Sequence, residues 1–227
     1  GVDSSHVSFL HRVFADVQEM KAGKDGFLVQ RPIYMIQDKS PKFFVRDTPY
    51  GFAIGARRNA EEGHYYWRLS QVLMPAYTII PSAAGRYLTG HAWVPIDDEN
   101  CWAFTFSWHP DRPLTEEELE VFRAGDQNHA TVDPITFRNL ANADNDYLID
   151  REMQRNYNYT GVRGVGTQDT AIQESMGPIV DRTNEHLGTT DAAIIQMRRR
   201  LLDSAKALCD GGIAPPGGDD PSVFRVR

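Results

Sequence analysis

The sequence predicts an α+β fold, in which a curved antiparallel sheet is flanked by helices and crossed by a long C-terminal helix. Short strand-like segments follow one another from residue 27 to residue 109, with brief polar turns between most of them. Strands joined this closely must pair as antiparallel hairpins, because a parallel crossover needs about a dozen connecting residues. Near the C-terminus, apolar residues recur at spacings of three and four from Ile194 to Leu208, which is the pattern of one helix face.

The predicted strands differ in how clearly their side chains alternate. They cover residues 27–35, 42–46, 51–57, 65–74, 78–80, 87–95 and 101–109. In the last strand, the aromatic residues occupy every second position and share one face of the sheet: Trp102, Phe104, Phe106 and Trp108. Such a face is typical of a protein core, although part of it could also line an apolar ligand pocket.

Helices are predicted before and after the strands. Apolar residues at helical spacing indicate an opening helix over residues 4–20. Thr115 and Glu118 form a capping box at the start of a short acidic helix. Thr167 is the predicted cap of a further helix, which places Asp169 in its first turn.

Length and composition indicate a single domain of 227 residues with 41% hydrophobic content. The net charge of −7 and the absence of a long basic run argue against a nucleic-acid-binding surface. No apolar run is long enough to cross a membrane, and Cys101 and Cys209 are too few for a disulfide framework. We therefore expect a cytoplasmic protein, with residues 212–227 forming an extended tail after the last helix.

The segment from Asp3 to His11 carries two imidazoles and a carboxylate. Ligands of this kind suit iron, zinc or copper better than magnesium or calcium. Residues five apart lie about 140° apart on an ideal helix, so His6 and His11 can reach one ion only if the helix widens or breaks between them. The alternative is that both are ordinary histidines on an amphipathic helix, with Asp3 as its N-cap.

A third candidate ligand, Asp169, follows a glycine-rich run over residues 161–166. The spacing of these glycines does not match a phosphate-binding loop, so the run is interpreted as a flexible approach to a helix. The helix dipole favours an ionised carboxylate in the first turn, which makes Asp169 a candidate metal ligand. Taken alone, Asp169 is more simply explained as an ordinary first-turn acid.

Three segments form a combined signature: Asp3-x-x-His6-x-x-x-x-His11, the hairpin Trp93-Val94-Pro95-Ile96-Asp97-Asp98-Glu99, and the run from Gln168-Asp169 to Gly177-Pro178. Together they resemble the catalytic domain of Rieske non-haem iron oxygenases, in particular the large subunits of the phthalate 4,5-dioxygenase-like and vanillate demethylase-like kinds. The resemblance covers nearly the whole chain. It implies a helix-grip-like fold and an enzyme that dihydroxylates, monohydroxylates or O-demethylates an aromatic substrate.

The resemblance also implies roles for individual residues. His6, His11 and Asp169 would bind one Fe(II) as a 2-His-1-carboxylate facial triad, with O2 as co-substrate. Asp3 would serve catalysis without binding the iron, because the equivalent acid in these enzymes bridges to a histidine of a Rieske [2Fe-2S] cluster in the neighbouring subunit of a homotrimer. A reductase would supply the electrons.

The chain departs from a complete member of this family in one respect. A Rieske centre is held by two cysteines and two histidines, and Cys101 and Cys209 lie far apart without neighbouring histidines. We therefore expect residues 1–227 to be a single mononuclear-iron catalytic domain, a fragment without its Rieske domain. Alone, it should bind iron but not turn over.

Arg68 is a candidate cationic anchor for an aromatic carboxylate, although a surface salt bridge is the more ordinary role for such a residue. Two other functions remain open. A non-catalytic helix-grip domain could bind a small molecule without any metal. A zinc hydrolase could use the same three ligands, but no H-E-x-x-H helix or evident general base accompanies them.

Overall fold

The sheet is a six-stranded antiparallel meander in a computed structural model that describes residues 1–14, 33–82 and 85–225. Each strand pairs with its neighbour in the chain. The strands are β1 (Lys42–Thr48), β2 (Gly51–Asn59), β3 (Tyr65–Leu73), β4 (Tyr77–Ile80), β5 (Leu88–Pro95) and β6 (Cys101–Trp108). The structure confirms the predictions for these six strands and for their antiparallel pairing. The strands pair in this way because the turns between them are too short for a parallel connection.

The helices lie before and after the sheet in the chain. They are α1 (Tyr34–Gln37), α2 (Glu116–Arg123), α3 (Arg151–Asn156), α4 (Val165–Glu174) and α5 (Ala192–Gly211). The predicted capping box of α2 is present, because Glu118 N–H donates to Thr115 Oγ1 and Thr115 N–H donates to the Glu118 carboxylate. Helix α5 ends as predicted at Gly212, whose φ of +64° is the left-handed conformation that favours glycine. Beyond it, Pro221–Phe224 forms one 3₁₀ turn.

A hydrophobic core lies between α5 and the first half of the sheet. Phe52, Ile54 and Val72 form its sheet side, and Ala193 is the buried residue of α5. Met197 packs against this cluster one helical turn further on. Burying each large side chain contributes roughly 1.5–3 kcal/mol, so this contact is what holds the long helix across β1 and β2. Among the helices of the described ranges, none is long and apolar enough to span a lipid bilayer.

The aromatic row of β6 lies on the opposite face of the sheet. The side chains of Trp102 and Phe104 are 40% and 54% exposed, so the prediction that they belong to the core is wrong for this chain. Strand register places them on the same face as Trp67 and Leu69, which are also exposed. Alternation correctly identified one shared face, but it could not tell which face the helices cover.

Two further predictions, for the start of the chain, are wrong over the part of it that the structure describes. Residues 4–14 do not form the predicted α-helix; they contain a single 3₁₀ turn, His6–Ser8, and then a bridge from Val13 to Asn158. The rest of that predicted helix lies outside the described residues. The predicted strand over residues 27–35 also lies mostly outside them, and its last part belongs to α1. Tertiary pairing with the segment around Asn158 overrides the local helical pattern.

Candidate metal centre

The two N-terminal histidines are brought together by a break in the local helix. Asp3 organises the turn, because Oδ1 accepts hydrogen bonds from the Ser5 N–H at 2.6 Å and the Ser5 hydroxyl at 2.7 Å. The 3₁₀ turn stops at Ser8, and the chain then changes direction before Val13. The rings of His6 and His11 meet edge to face with centroids 5.0 Å apart. The backbone therefore shows the break in the helix that two histidines five residues apart need in order to bind one metal ion.

Asp169 completes a cluster with both histidines. Its Oδ1 lies 3.1 Å from His11 Nε2 and 3.5 Å from His6 Nε2, and potential ligand atoms of the three residues all lie within 4.8 Å of one another. Ligand atoms that each bind one metal ion at about 2.0–2.2 Å lie about 3 Å from each other. The two nitrogen–oxygen distances, 3.1 and 3.5 Å, are thus close to the spacing that a single ion needs.

The charges around His6 favour a cation at this position. Burial by itself lowers the pKa of His6, but hydrogen bonds to Asp169 and Asp3 outweigh it and raise that pKa to about 9. Burial raises the pKa of Asp169, yet the hydrogen bonds from His11 and His6 bring that pKa well below its usual range. Asp3, 3.3 Å from His6 Nδ1, has its pKa lowered in the same way despite burial. Two ionised carboxylates flank one imidazole, a field that suits a bound metal ion.

Helix α4 positions Asp169, and it does so differently from the prediction. The helix begins at Val165 with Gly164 as its N-cap, so Thr167 is a buried helical residue and not the cap. Asp169 consequently lies in the second turn of α4 and not in the first. The glycine run is closely packed, since a Cβ on Gly166 would lie 2.4 Å from the Asn128 carbonyl oxygen. The run is therefore a packing contact and not the flexible approach that its composition indicated.

Gln168 is a site residue to which the sequence assigned no role. Its side chain is 6% exposed, and its Oε1 lies 2.7 Å from His11 Nδ1. His11 is itself only 3% exposed. The one available signal was its place directly before a candidate ligand, which does not reveal what the amide contacts. Gln168 thus lies behind His11, on the side away from Asp169.

A cavity opens beside the three candidate ligands. His6, His11 and Asp169 form part of its wall, and the sheet contributes polar side chains to it: Tyr66, Arg68, Ser70, Thr89. Arg68 donates from Nη2 to the Pro81 carbonyl at 3.2 Å, while its buried Nε finds no hydrogen-bond partner among the described residues. The structure therefore places the predicted anchor and the candidate metal ligands around one cavity.

The chain is similar to known proteins over nearly its whole length. Residues 1–223 match the family model described as LigXa C-terminal domain like. The chain is 32% identical over 98% of its length to a 3-chlorobenzoate-3,4-dioxygenase oxygenase subunit of Comamonas testosteroni. It is 33% identical over 99% of its length to a phthalate 4,5-dioxygenase oxygenase subunit of Pseudomonas putida. It spans 53% and 51% of those two proteins, about half the length of the curated relatives it matches. The chain therefore belongs to the Rieske non-haem iron oxygenases, as a catalytic domain of the LigXa C-terminal-domain-like family.

Proposed function

We propose that this chain is the part of a Rieske-type oxygenase that holds the mononuclear iron and the aromatic substrate. The observation that carries the proposal is the convergence of His6, His11 and Asp169, whose potential ligand atoms lie within 4.8 Å of one another beside a cavity. Two imidazoles and a carboxylate on one side of an ion form the facial arrangement used for Fe(II), with other positions left open. When bound there, Fe(II) supplies the centre at which dioxygen is activated to hydroxylate the arene.

The residues of this chain hold and orient that centre. His11 is almost fully buried, and Gln168 Oε1 lies 2.7 Å from its Nδ1, which leaves Nε2 facing Asp169. His6 is more accessible, and Asp3 holds its Nδ1 from behind at 3.3 Å. A carboxylate in this position fixes the tautomer of a ligating histidine and raises its basicity. Asp3 is also 25% exposed, which leaves it accessible to a second polypeptide.

We assign the electron supply to that second polypeptide. In this proposal Asp3 bridges to a histidine of a Rieske [2Fe-2S] cluster in a neighbouring subunit of a homotrimer, and a reductase reduces the cluster. Without the cluster, the chain binds iron and substrate but does not turn over. An iron–sulfur absorption spectrum from the purified chain, or product formation without an added Rieske partner, would contradict this assignment.

The substrate is an aromatic molecule with an anionic group. The relatives are named for 3-chlorobenzoate and phthalate, both of which are aromatic carboxylates. Arg68 has the charge to pair with a carboxylate, and its Nε donor is unused within the described residues. A guanidinium holds a carboxylate through paired N–H donors, which fixes orientation as well as position. Dihydroxylation, monohydroxylation and O-demethylation are all compatible with this anchor.

Anaerobic reconstitution with Fe(II) tests the proposal. The wild-type chain should bind one iron, and nitric oxide should then give the spectrum of a ferrous nitrosyl adduct. His6→Ala, His11→Ala and Asp169→Ala should each lose both, whereas His64→Ala, in the exposed β2–β3 turn, should keep both. If the wild type takes up no iron but still binds aromatic carboxylates, the chain is a binding domain and the proposal is wrong.

A further inference from the structure

The side chain of Gln168 is buried between a candidate metal ligand and a backbone carbonyl. Gln168 Nε2 donates to the Val162 carbonyl at 2.8 Å, and Oε1 lies 2.7 Å from His11 Nδ1. A carbonyl oxygen can only accept, so the amide group has one possible orientation, with its NH2 toward Val162. His11 Nδ1 must then carry the hydrogen, and Nε2 is the nitrogen that faces Asp169.

From this arrangement we infer that Gln168 is the positioning residue for His11, acting as a neutral hydrogen-bond acceptor that fixes which nitrogen is available to a metal. The inference rests on the proposed iron-binding function. The inference goes beyond that function, because Gln168 would touch neither the metal nor the substrate.

The surroundings of Gln168 hold its side chain in place. The Val162 carbonyl also accepts a hydrogen bond from Asn158 Nδ2 at 3.1 Å, and Asn158 Oδ1 accepts from Gly161 N–H at 2.6 Å. Asn158 in turn pairs with Val13, just beyond His11 in the chain. A single buried network therefore connects the segment after His11 with the loop that leads into α4. Each amide in it has its partners, so the rotamer of Gln168 is determined by more than one contact.

The two histidines are consequently supported by different chemical groups. His6 has the carboxylate of Asp3 behind its Nδ1, whereas His11 has an amide. A carboxylate makes an imidazole a stronger donor to a metal, and an amide fixes its orientation without adding charge. A second carboxylate behind His11 would also place another buried charge close to Asp169, which is costly. The neutral group is thus suited to the more buried of the two ligands.

Substitution of Gln168 tests the inference through metal binding and proton exchange. Gln168→Met has nearly the same size but no acceptor, so the affinity for Co(II), used as a probe, should fall about 10–100-fold. In the NMR spectrum of the Co(II)-loaded wild type, the Nδ1 proton of His11 should exchange slowly with water. It should exchange rapidly in the variant. Gln173→Met, on the exposed side of the same helix, should match the wild type in both measurements.

A second measurement separates positioning from packing. Gln168→Met keeps the volume of the side chain, so the near-UV circular dichroism spectrum of the metal-free variant should match that of the wild type while its Co(II) affinity falls. If Gln168→Met binds Co(II) as tightly as the wild type and keeps the slow proton, the inference is wrong. Weaker binding accompanied by a changed spectrum would mean that Gln168 packs the site instead of orienting His11, and the inference would also be wrong. A wild-type chain that binds no metal would instead refute the proposed function itself, and the two failures are therefore distinguishable.

Discussion

Gly164 and Gly125 meet through their backbones. A Cβ added to Gly164 would lie 2.0 Å from the carbonyl oxygen of Gly125, a distance that no real Cβ atom can occupy. Gly164 also has a φ of +82°, so it needs glycine for its conformation as well as for the contact. Because Gly164 caps the helix that carries Asp169, this contact sets where the carboxylate lies relative to the two histidines.

Gly164→Ala should therefore weaken metal binding from a distance. The matched control is Gly177→Ala, since Gly177 has a similar φ of +86° but nothing within 4 Å of an added Cβ. In the control variant, backbone strain alone should lower the free energy of unfolding, by about 1 kcal/mol. In Gly164→Ala the free energy of unfolding should fall by about 1–3 kcal/mol more, because the new Cβ overlaps Gly125. Its Fe(II) affinity should fall at least about tenfold, because α4 must shift. Urea denaturation and Fe(II) titration measure the two effects. Equal stabilities and equal affinities for the two variants would show that this contact does not position the helix.

The anchor role of Arg68 predicts a loss of substrate affinity without a loss of metal. Arg68→Met removes a charged donor from the cavity, and a hydrogen bond to a charged group contributes about 1.5–3 kcal/mol. The affinity of the Fe(II)-loaded chain for phthalate or 3-chlorobenzoate should thus fall about 10–100-fold in calorimetry. Arg57→Met is the control, because Arg57 lies on the adjacent strand with its side chain on the other face. An unchanged affinity for Arg68→Met would exclude the anchor role.

The sheet could be predicted from the sequence because its determinants are local. Alternating side chains mark each strand, and turn residues such as Asp97 to Asn100 separate the last two. Helix α5 could be predicted equally well, since its apolar spacing and its terminating glycine lie within one continuous segment. The structure of the opening segment could not be predicted, because its partners are far away in the chain. Phe14 N–H donates to the Tyr157 carbonyl, and Val13 pairs with Asn158.

The candidate site shows the same division between local and distant determinants. The residue types and spacing of His6 and His11 were enough to indicate a metal site, and they also required a break in the helix that the structure shows. The contact of Gln168 with His11 could not be predicted, because it depends on the direction of an amide that the Val162 carbonyl determines. Glycines that allow backbone contact have no pattern distinct from those in flexible loops.

The stability that the start of helix α2 contributes should depend on pH through the carboxylate of Glu118. The Arg112 guanidinium donates two hydrogen bonds to this carboxylate, at 2.9 and 2.8 Å, and lowers the pKa of Glu118 to about 2. The unfolded-state pKa is about 4.3, so the stabilisation is complete above roughly pH 5 and is lost as the pH falls toward 2. Glu118→Gln should cost about 1 kcal/mol or less at pH 7, because solvent screens a surface ion pair.

The measurement for Glu118 is the difference in unfolding free energy between wild type and variant, taken by urea denaturation at several pH values. That difference should shrink between pH 5 and pH 2. In a chain that also carries Arg112→Met, Glu118→Gln should produce a difference that changes less over this range, because the guanidinium is gone. A difference for Glu118→Gln that stays constant with pH would mean that its carboxylate is not held by Arg112 in solution.

The two faces of the sheet should differ sharply in what a phenylalanine contributes. Phe52 is fully buried in the core against α5, whereas Phe104 on the other face is 54% exposed. Phe52→Ala removes packed atoms and leaves a cavity, so it should cost about 3–5 kcal/mol in urea denaturation. Phe104→Ala leaves no enclosed cavity, and it should cost less than about 1 kcal/mol. Similar costs for the two variants would mean that the outer face is covered in solution, for example by self-association. A concentration dependence of the Phe104→Ala effect would identify that cause, because association couples stability to concentration.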